Sequence, residues 1–176
     1  VIFMIKFSIN KSFFLQALNA TKRAISSKNA IPVLSTIKIE VQNSNITLTG
    51  SNDNSIENII PTSNENAGLL ITSPGAILLE ANFFINIVSS LPDVTLDFEE
   101  IEHHQIVLTS GKSEITLKGK DVDLYPRLQE MATENPLVIE TKLLKSIITE
   151  TAFAASLQES RPILTGVHMV LSDHKI

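Results

Sequence analysis

Hydrophobic positions along the chain follow two periods. Between Lys11 and Ile25 they recur at helical spacing. Phe14, Ala17, Leu18, Thr21, Ala24 and Ile25 make one face, while Ser12, Gln16, Asn19 and Arg23 make the other. Asn10 is placed to cap this helix, because its side chain can accept from the first free backbone N–H groups. A second helix is predicted over about Ala81–Ser90. It turns Phe83, Phe84, Ile87 and Val88 inward and Asn82, Asn86 and Ser89 outward, and Pro92 ends it. A third, over about Thr141–Ser156, buries Leu143, Leu144, Ile147 and Ile148 and exposes Lys142, Ser146 and Thr149.

The remaining patterned segments alternate. Ile37, Ile39 and Val41 oppose Lys38 and Glu40, and the turn Asn43-Ser44-Asn45 precedes Ile46-Thr-Leu48-Thr. Val94, Leu96 and Phe98 alternate with Thr95, Asp97 and Glu99. Ile106-Val-Leu108 runs into the turn Ser110-Gly111-Lys112 and then Ile115-Thr-Leu117. A period of two marks half-buried, mostly antiparallel strands. Helices resting on one face of antiparallel sheets make the fold class α+β.

The chain also repeats itself. With a constant offset of 130, Phe7–Gln42 aligns with Leu137–Ser172, and Ile9, Thr21, Ala24, Ser26, Pro32 and Leu34 meet identical residues. At an offset of 70, Glu80-Ala-Asn-Phe83-Phe84-Ile85 echoes Asn10-Lys-Ser-Phe13-Phe14-Leu15. The sequence therefore reads as three starts of one strand–helix–strands unit, near Phe7, Ile77 and Leu137. The third breaks off at Ile176, so a fragment of something longer is expected. Asp121–Pro136 follows neither period and contains Tyr125-Pro126 and Asn135-Pro136, the mark of an interdomain linker. The expected boundaries are a first domain over 1–125, a linker over 126–136 and a truncated second domain over 137–176.

Composition narrows the chemistry. The 176 residues include no cysteine, which excludes disulfides, zinc–thiolate sites and iron–sulfur clusters. No run of 18 apolar residues exists, and the opening Val-Ile-Phe-Met-Ile is too short for a signal peptide, so a cytoplasmic protein with no membrane partner is expected. The net charge of −5 hides an asymmetry. Residues 1–39 hold six basic residues (Lys6, Lys11, Lys22, Arg23, Lys28, Lys38) and no acid, while eight basic and nineteen acidic residues follow. That distribution predicts one positive face on an otherwise repulsive body.

No catalytic constellation emerges, so the chain is read as a non-enzyme that needs no cofactor. His103 and His104 share a predicted hairpin turn, and His168 and His174 lack the companions of a metal site. Gly111-Lys112-Ser113 ends like a phosphate-binding loop, but Ile106 stands where the first glycine is needed. The acidic run Asp97, Glu99, Glu100 and Glu102 is expected on a solvent face.

Met4-Ile-Lys6-Phe7-Ser-Ile9, the helix after it, and Ala30-Ile-Pro32-Val-Leu34 resemble the opening of the bacterial DNA sliding clamps, the β subunits of DNA polymerase III. Similar pieces follow in order: Leu48-Thr-Gly50, Phe83-Phe84 through Ser90-Leu91-Pro92, Leu108-Thr-Ser-Gly111-Lys-Ser, and Asp123-Leu-Tyr125-Pro126. Arg161-Pro-Ile-Leu164-Thr-Gly166-Val resembles the start of the family's second domain. The wording is nearest to clamps of streptococcus-like Gram-positive bacteria.

The resemblance implies the DNA-clamp fold, with two βαβββ-type units per domain. It implies a head-to-tail homodimer that closes a ring around double-stranded DNA without sequence specificity and acts as the processivity factor of the replicative polymerase. The implied DNA-facing residues are Lys22, Arg23, Lys28, Lys142, Lys145 and Gln158, of which Lys28 and Gln158 match DNA-contacting positions of the family. The second helix, which has no basic residue, is read as serving the subunit interface, with Asn86 and the strand residues Lys112, Ser113, Glu114, Ile115 and Leu117. Arg161 and Leu164 match part of the pocket that receives short peptides of polymerase, clamp loader and repair proteins. The competing reading is a DNA-independent α+β interaction module. It would gain if Lys22, Arg23 and Lys28 paired with acids of their own sheet.

Overall fold

The computed structural model describes residues 4–26, 31–52, 54–92, 94–127, 138–158 and 160–170. Contacts divide the chain into two units, Val1–Gln129 and Glu130–Ile176. Residues 128–136 of the expected linker lie outside the described residues.

The first unit is two rounds of one motif. Strand β1 (Lys6–Asn10), helix α1 (Lys11–Lys22), and strands β2 (Thr36–Val41), β3 (Asn45–Ser51) and β4 (Ser55–Pro61) form the first. After the short β5 (Leu70–Ser73), the second runs β6 (Gly75–Glu80), α2 (Ala81–Ser90), β7 (Thr95–Glu100), β8 (Gln105–Ser110) and β9 (Ser113–Lys118). The helices start alike. Asn10 Oδ1 accepts from the Phe13 backbone N–H at 3.0 Å, and Glu80, which the offset of 70 equates with Asn10, accepts through its carboxylate from the backbone N–H groups of Asn82 and Phe83.

Sheet pairing shows what the linear pattern could not. One sheet has the order β5-β1-β7-β8-β9, the other β4-β3-β2-β6, and all pairings are antiparallel. The first strand of each round therefore lies in the sheet of the other round, and the two rounds interlock. Register brings Phe7 opposite Phe98, whose rings stack at 4.7 Å. Phe14 on α1 and Phe84 on α2 meet this pair edge-on, at 5.9 Å to Phe7 and 6.3 Å to Phe98. One continuous apolar core thus joins both sheets and both helices.

Several expectations hold and several need correction. On α1, Phe14, Ala17, Leu18 and Thr21 are buried and Ser12, Gln16, Asn19 and Arg23 are exposed, as the periodicity requires. The helix ends at Lys22, not Ile25. On α2 the buried set is Ala81, Phe84, Ile85 and Val88, and Phe83 is 58% exposed. The apolar run Phe83–Ile85 allows two helical phases, and packing against Phe14 and Phe98 selects the one centred on Phe84. Val94 is exposed because it precedes β7. Glu100, expected in solvent, is buried. Its carboxylate accepts from the Ile5 backbone N–H at 3.4 Å and lies 3.1 Å from His104 Nδ1. His103 and His104 do form the turn between β7 and β8, both with positive φ, 58° and 60°.

The chain leaves β9 and crosses to the other sheet through a bridge between Lys120 and Leu78. Tyr125 then packs on Leu34 and Leu78, so Asp121–Tyr125 belongs to the first unit. The Tyr125 hydroxyl has no well-formed hydrogen bond among the described residues, and burial pushes the phenol up to about 12 from 10.0. A raised acid pKa favours the protonated folded state. The stabilisation is present below pH 10.0 and is lost as pH rises through about 12. Tyr125 is the chain's single tyrosine, so phenolate absorbance reports it alone. The native chain should ionise near pH 12 and the urea-unfolded chain near 10.0. Native ionisation near 10.0 would show that the ring is not held in this pocket.

The second unit contains α3 (Thr141–Ala152) and a 3-10 turn at Pro162–Thr165. Both sit at an offset of 130 from their counterparts, α1 and the turn Pro32–Ser35. Even side-chain bonds repeat. Thr21 donates to the Ala17 carbonyl and Thr151 to that of Ile147; Ser35 and Thr165 donate to the carbonyls of Pro32 and Pro162. The helix is shorter than the expected span to Ser156, and its apolar face is not buried: Leu143 and Ile148 are 50% and 47% exposed. Among the described residues, no strand of this unit covers that face.

Candidate nucleic-acid interface

The geometry of the helical layer follows from one close approach. At Gly50 on β3, an added Cβ would lie 2.6 Å from the Thr21 carbonyl oxygen and 3.0 Å from Ile25. Only a residue without a side chain lets the last turn of α1 settle onto the sheet. That contact fixes where Lys22, half-buried, and Arg23, exposed at the C-cap, leave the surface. Basic side chains at a helix C-terminus also offset its partial negative charge.

The basic residues of the leading segment divide by use. Lys6 pairs with Glu99 at 3.0 Å, and Lys38 pairs with Glu40 at 2.8 Å and lies 5.8 Å from the Tyr125 ring centroid. Lys11 donates to the Leu91 carbonyl at the end of α2. Lys22 and Arg23 have no carboxylate partner among the described residues. Lys28 lies outside the described residues. Neither α1 nor α2 contains an aspartate or glutamate, and α2 carries no charge at all. The acids lie on the strands and turns instead. Asp97 and Glu99, with Lys6, Ser8, Leu70 and Thr72, line an open depression of about 390 Å³ on the first sheet.

In the second unit Lys142 and Lys145 are exposed on α3, without a carboxylate partner among the described residues. The unit's helical acid, Glu150, accepts from Ser146 Oγ at 2.6 Å. Gln158 is exposed, and its backbone N–H donates to Ser156 Oγ at 3.0 Å. Arg161 and Leu164 stand at the two ends of one 3-10 hydrogen bond of 2.9 Å, both exposed.

Asn86 is exposed on α2. Ser113, Glu114, Ile115 and Leu117 lie on β9, the terminal strand of its sheet, and Lys112 is in the turn before it. Glu114 is exposed, Ser113 and Ile115 half-buried, and Leu117 packs in the core. An edge strand presents unpaired backbone groups to a neighbour. No group of three or more His, Asp or Glu residues fit to hold a metal occurs among the described residues. The neutral row Ser12, Gln16 and Asn19 leads along α1 to Arg23 on the exposed face that the helical periodicity marks as polar.

Comparison with known proteins gives a consistent result. Residues 5–129 match the family model described as the DNA polymerase III beta subunit, N-terminal domain. The chain is 76% identical over 173 residues to the beta sliding clamp of Streptococcus pneumoniae serotype 4, covering 98% of this chain and 46% of that protein. It is 57% identical over 167 residues to the beta sliding clamp of Lactococcus lactis, covering 94% of this chain and 44% of that protein. The crystal structure of the S. pneumoniae DNA polymerase III beta chain superposes with a TM-score of 0.91 at 76% identity, covering 97% of this chain and 46% of that one. The chain thus spans about half the length of the curated relatives it matches.

Proposed function

Because this chain belongs to the family of the DNA polymerase III beta subunits, the bacterial sliding clamps, we propose that it is part of a ring-forming processivity factor. The ring is a head-to-tail homodimer that encircles duplex DNA, slides along it and tethers the replicative polymerase, clamp loader and repair proteins. Its role is mechanical and non-catalytic, and it acts in the cytoplasm. The observation that carries the reading is the separation of charge in the first unit: two helices without an aspartate or glutamate, one of them ending at Lys22 and Arg23, which have no carboxylate partner among the described residues, over sheets that carry acids. Attraction to phosphate needs no base readout, so such a face grips any sequence. Enclosure supplies persistence, and individual contacts can stay weak.

Lys28, and in the second unit Lys142, Lys145 and Gln158, are further DNA-contacting residues in the proposal. The β9 edge with Asn86 forms the subunit contact, and Arg161 with Leu164 contributes to the peptide pocket. The absence of carboxylate partners for Lys22 and Arg23 among the described residues favours this reading over a DNA-independent module. The test is topological. A full-length clamp carrying these residues, loaded on nicked circular duplex, should stay bound until the circle is cut and then run off the ends. Retention on the linear product equal to that on the circle would remove encirclement.

A further inference from the structure

Resting on the clamp reading, we propose that the uncharged row Ser12, Gln16 and Asn19 is a second lane of phosphate contact on α1, and that its neutrality sets how freely the ring slides. The three side chains are exposed and lie on the helix face that ends at Arg23. Spacing of four, three and four residues keeps them in one stripe along the helix. Charge complementarity names the occupant. No aspartate or glutamate lies within α1 or its neighbour α2, and the carboxylate at their margin, the α2 N-cap Glu80, is engaged by the backbone N–H groups of Asn82 and Phe83.

The members of the row differ in what they can offer. Asn19 donates its amide to the Leu15 carbonyl at 2.9 Å and is turned back on its own helix. Gln16 makes no such bond among the described residues, so its amide N–H groups are free to meet a phosphate oxygen directly or through water. A neutral amide exchanges one phosphate for the next without a counterion to release or recapture. A lysine in its place adds an ionic contact that must be broken at each step. The charges at Lys22 and Arg23 then attract the duplex, and the neutral row lets it move.

The test uses full-length clamps loaded on short linear duplex, with residence time before run-off read against salt. Gln16→Lys adds one ionic contact per subunit, two per ring. Its residence advantage over the parent should therefore shrink by about tenfold between about 50 and 200 mM salt. Gln16→Glu should shorten residence at low salt, and Gln16→Ala should fall between parent and Glu. Residence unchanged by both Lys and Glu at position 16, with Lys22→Glu/Arg23→Glu still effective, overturns the lane and leaves the clamp reading in place. If the Lys22→Glu/Arg23→Glu protein also matches its parent, the helical face itself is wrong and the lane falls with it.

Discussion

Phe98→Ala is expected to lower the unfolding free energy of the first unit by about 4 kcal/mol, within the 3–5 kcal/mol that large aromatic deletions cost. Phe98 has no exposed surface and lies on β7, the central strand of its sheet. Its ring stacks on Phe7 at 4.7 Å and takes Phe84 edge-on at 6.3 Å. Truncation removes two aromatic contacts and leaves a void where strands from both rounds of the motif and helix α2 converge. Close-packed interiors relax only partly into such a void. Against a typical total of about 5–15 kcal/mol the loss is severe. Phe83→Ala is the control. That neighbouring ring is 58% exposed and should cost about 1 kcal/mol or less. Urea denaturation measures both. Equal losses would mean that α2 turns Phe83, not Phe84, into the core.

Lys22→Glu/Arg23→Glu should nearly abolish the attraction of the assembled ring for DNA at low salt. The two positions become four in a dimer. With about 0.9 released counterions per phosphate contact, removing four contacts lowers the salt slope by about 3–4. Between about 50 and 200 mM salt the parent should then lose about a hundredfold more affinity than the variant. Fold should be unaffected, because Arg23 is exposed and neither residue carries a carboxylate partner among the described residues. Placing two carboxylates at the end of α1 also opposes the helix dipole, but exposed terminal charges shift stability by only about 1 kcal/mol. Identical salt slopes for the two proteins would take Lys22 and Arg23 out of the DNA-facing surface.

Sorting the basic residues needed contacts. All six of the leading segment look alike in the sequence. Folded, Lys6 and Lys38 pair with glutamates on neighbouring strand positions, and Lys11 serves the end of α2. Only geometry separates these from Lys22 and Arg23. Glu100 makes the same point among the acids. Alternation along β7 puts Glu100 in phase with the buried Leu96 and Phe98, but the partners that satisfy a carboxylate there, the Ile5 backbone N–H and His104, come only with the fold.

Local periodicity was enough for the three helices, the alternating strands, the α+β class and the repeated unit. Each of those is a property of residues a few positions apart, and apolar spacing records it directly. The exchange of first strands between the two sheets, the phase of α2 and the burial of Tyr125 depend on residues that meet only after the chain has crossed itself. Register and packing among distant segments choose between arrangements that the linear pattern leaves equal in energy. For the same reason the chain displays its positive segment in the sequence, while which cations remain free to meet a phosphate is decided by the fold.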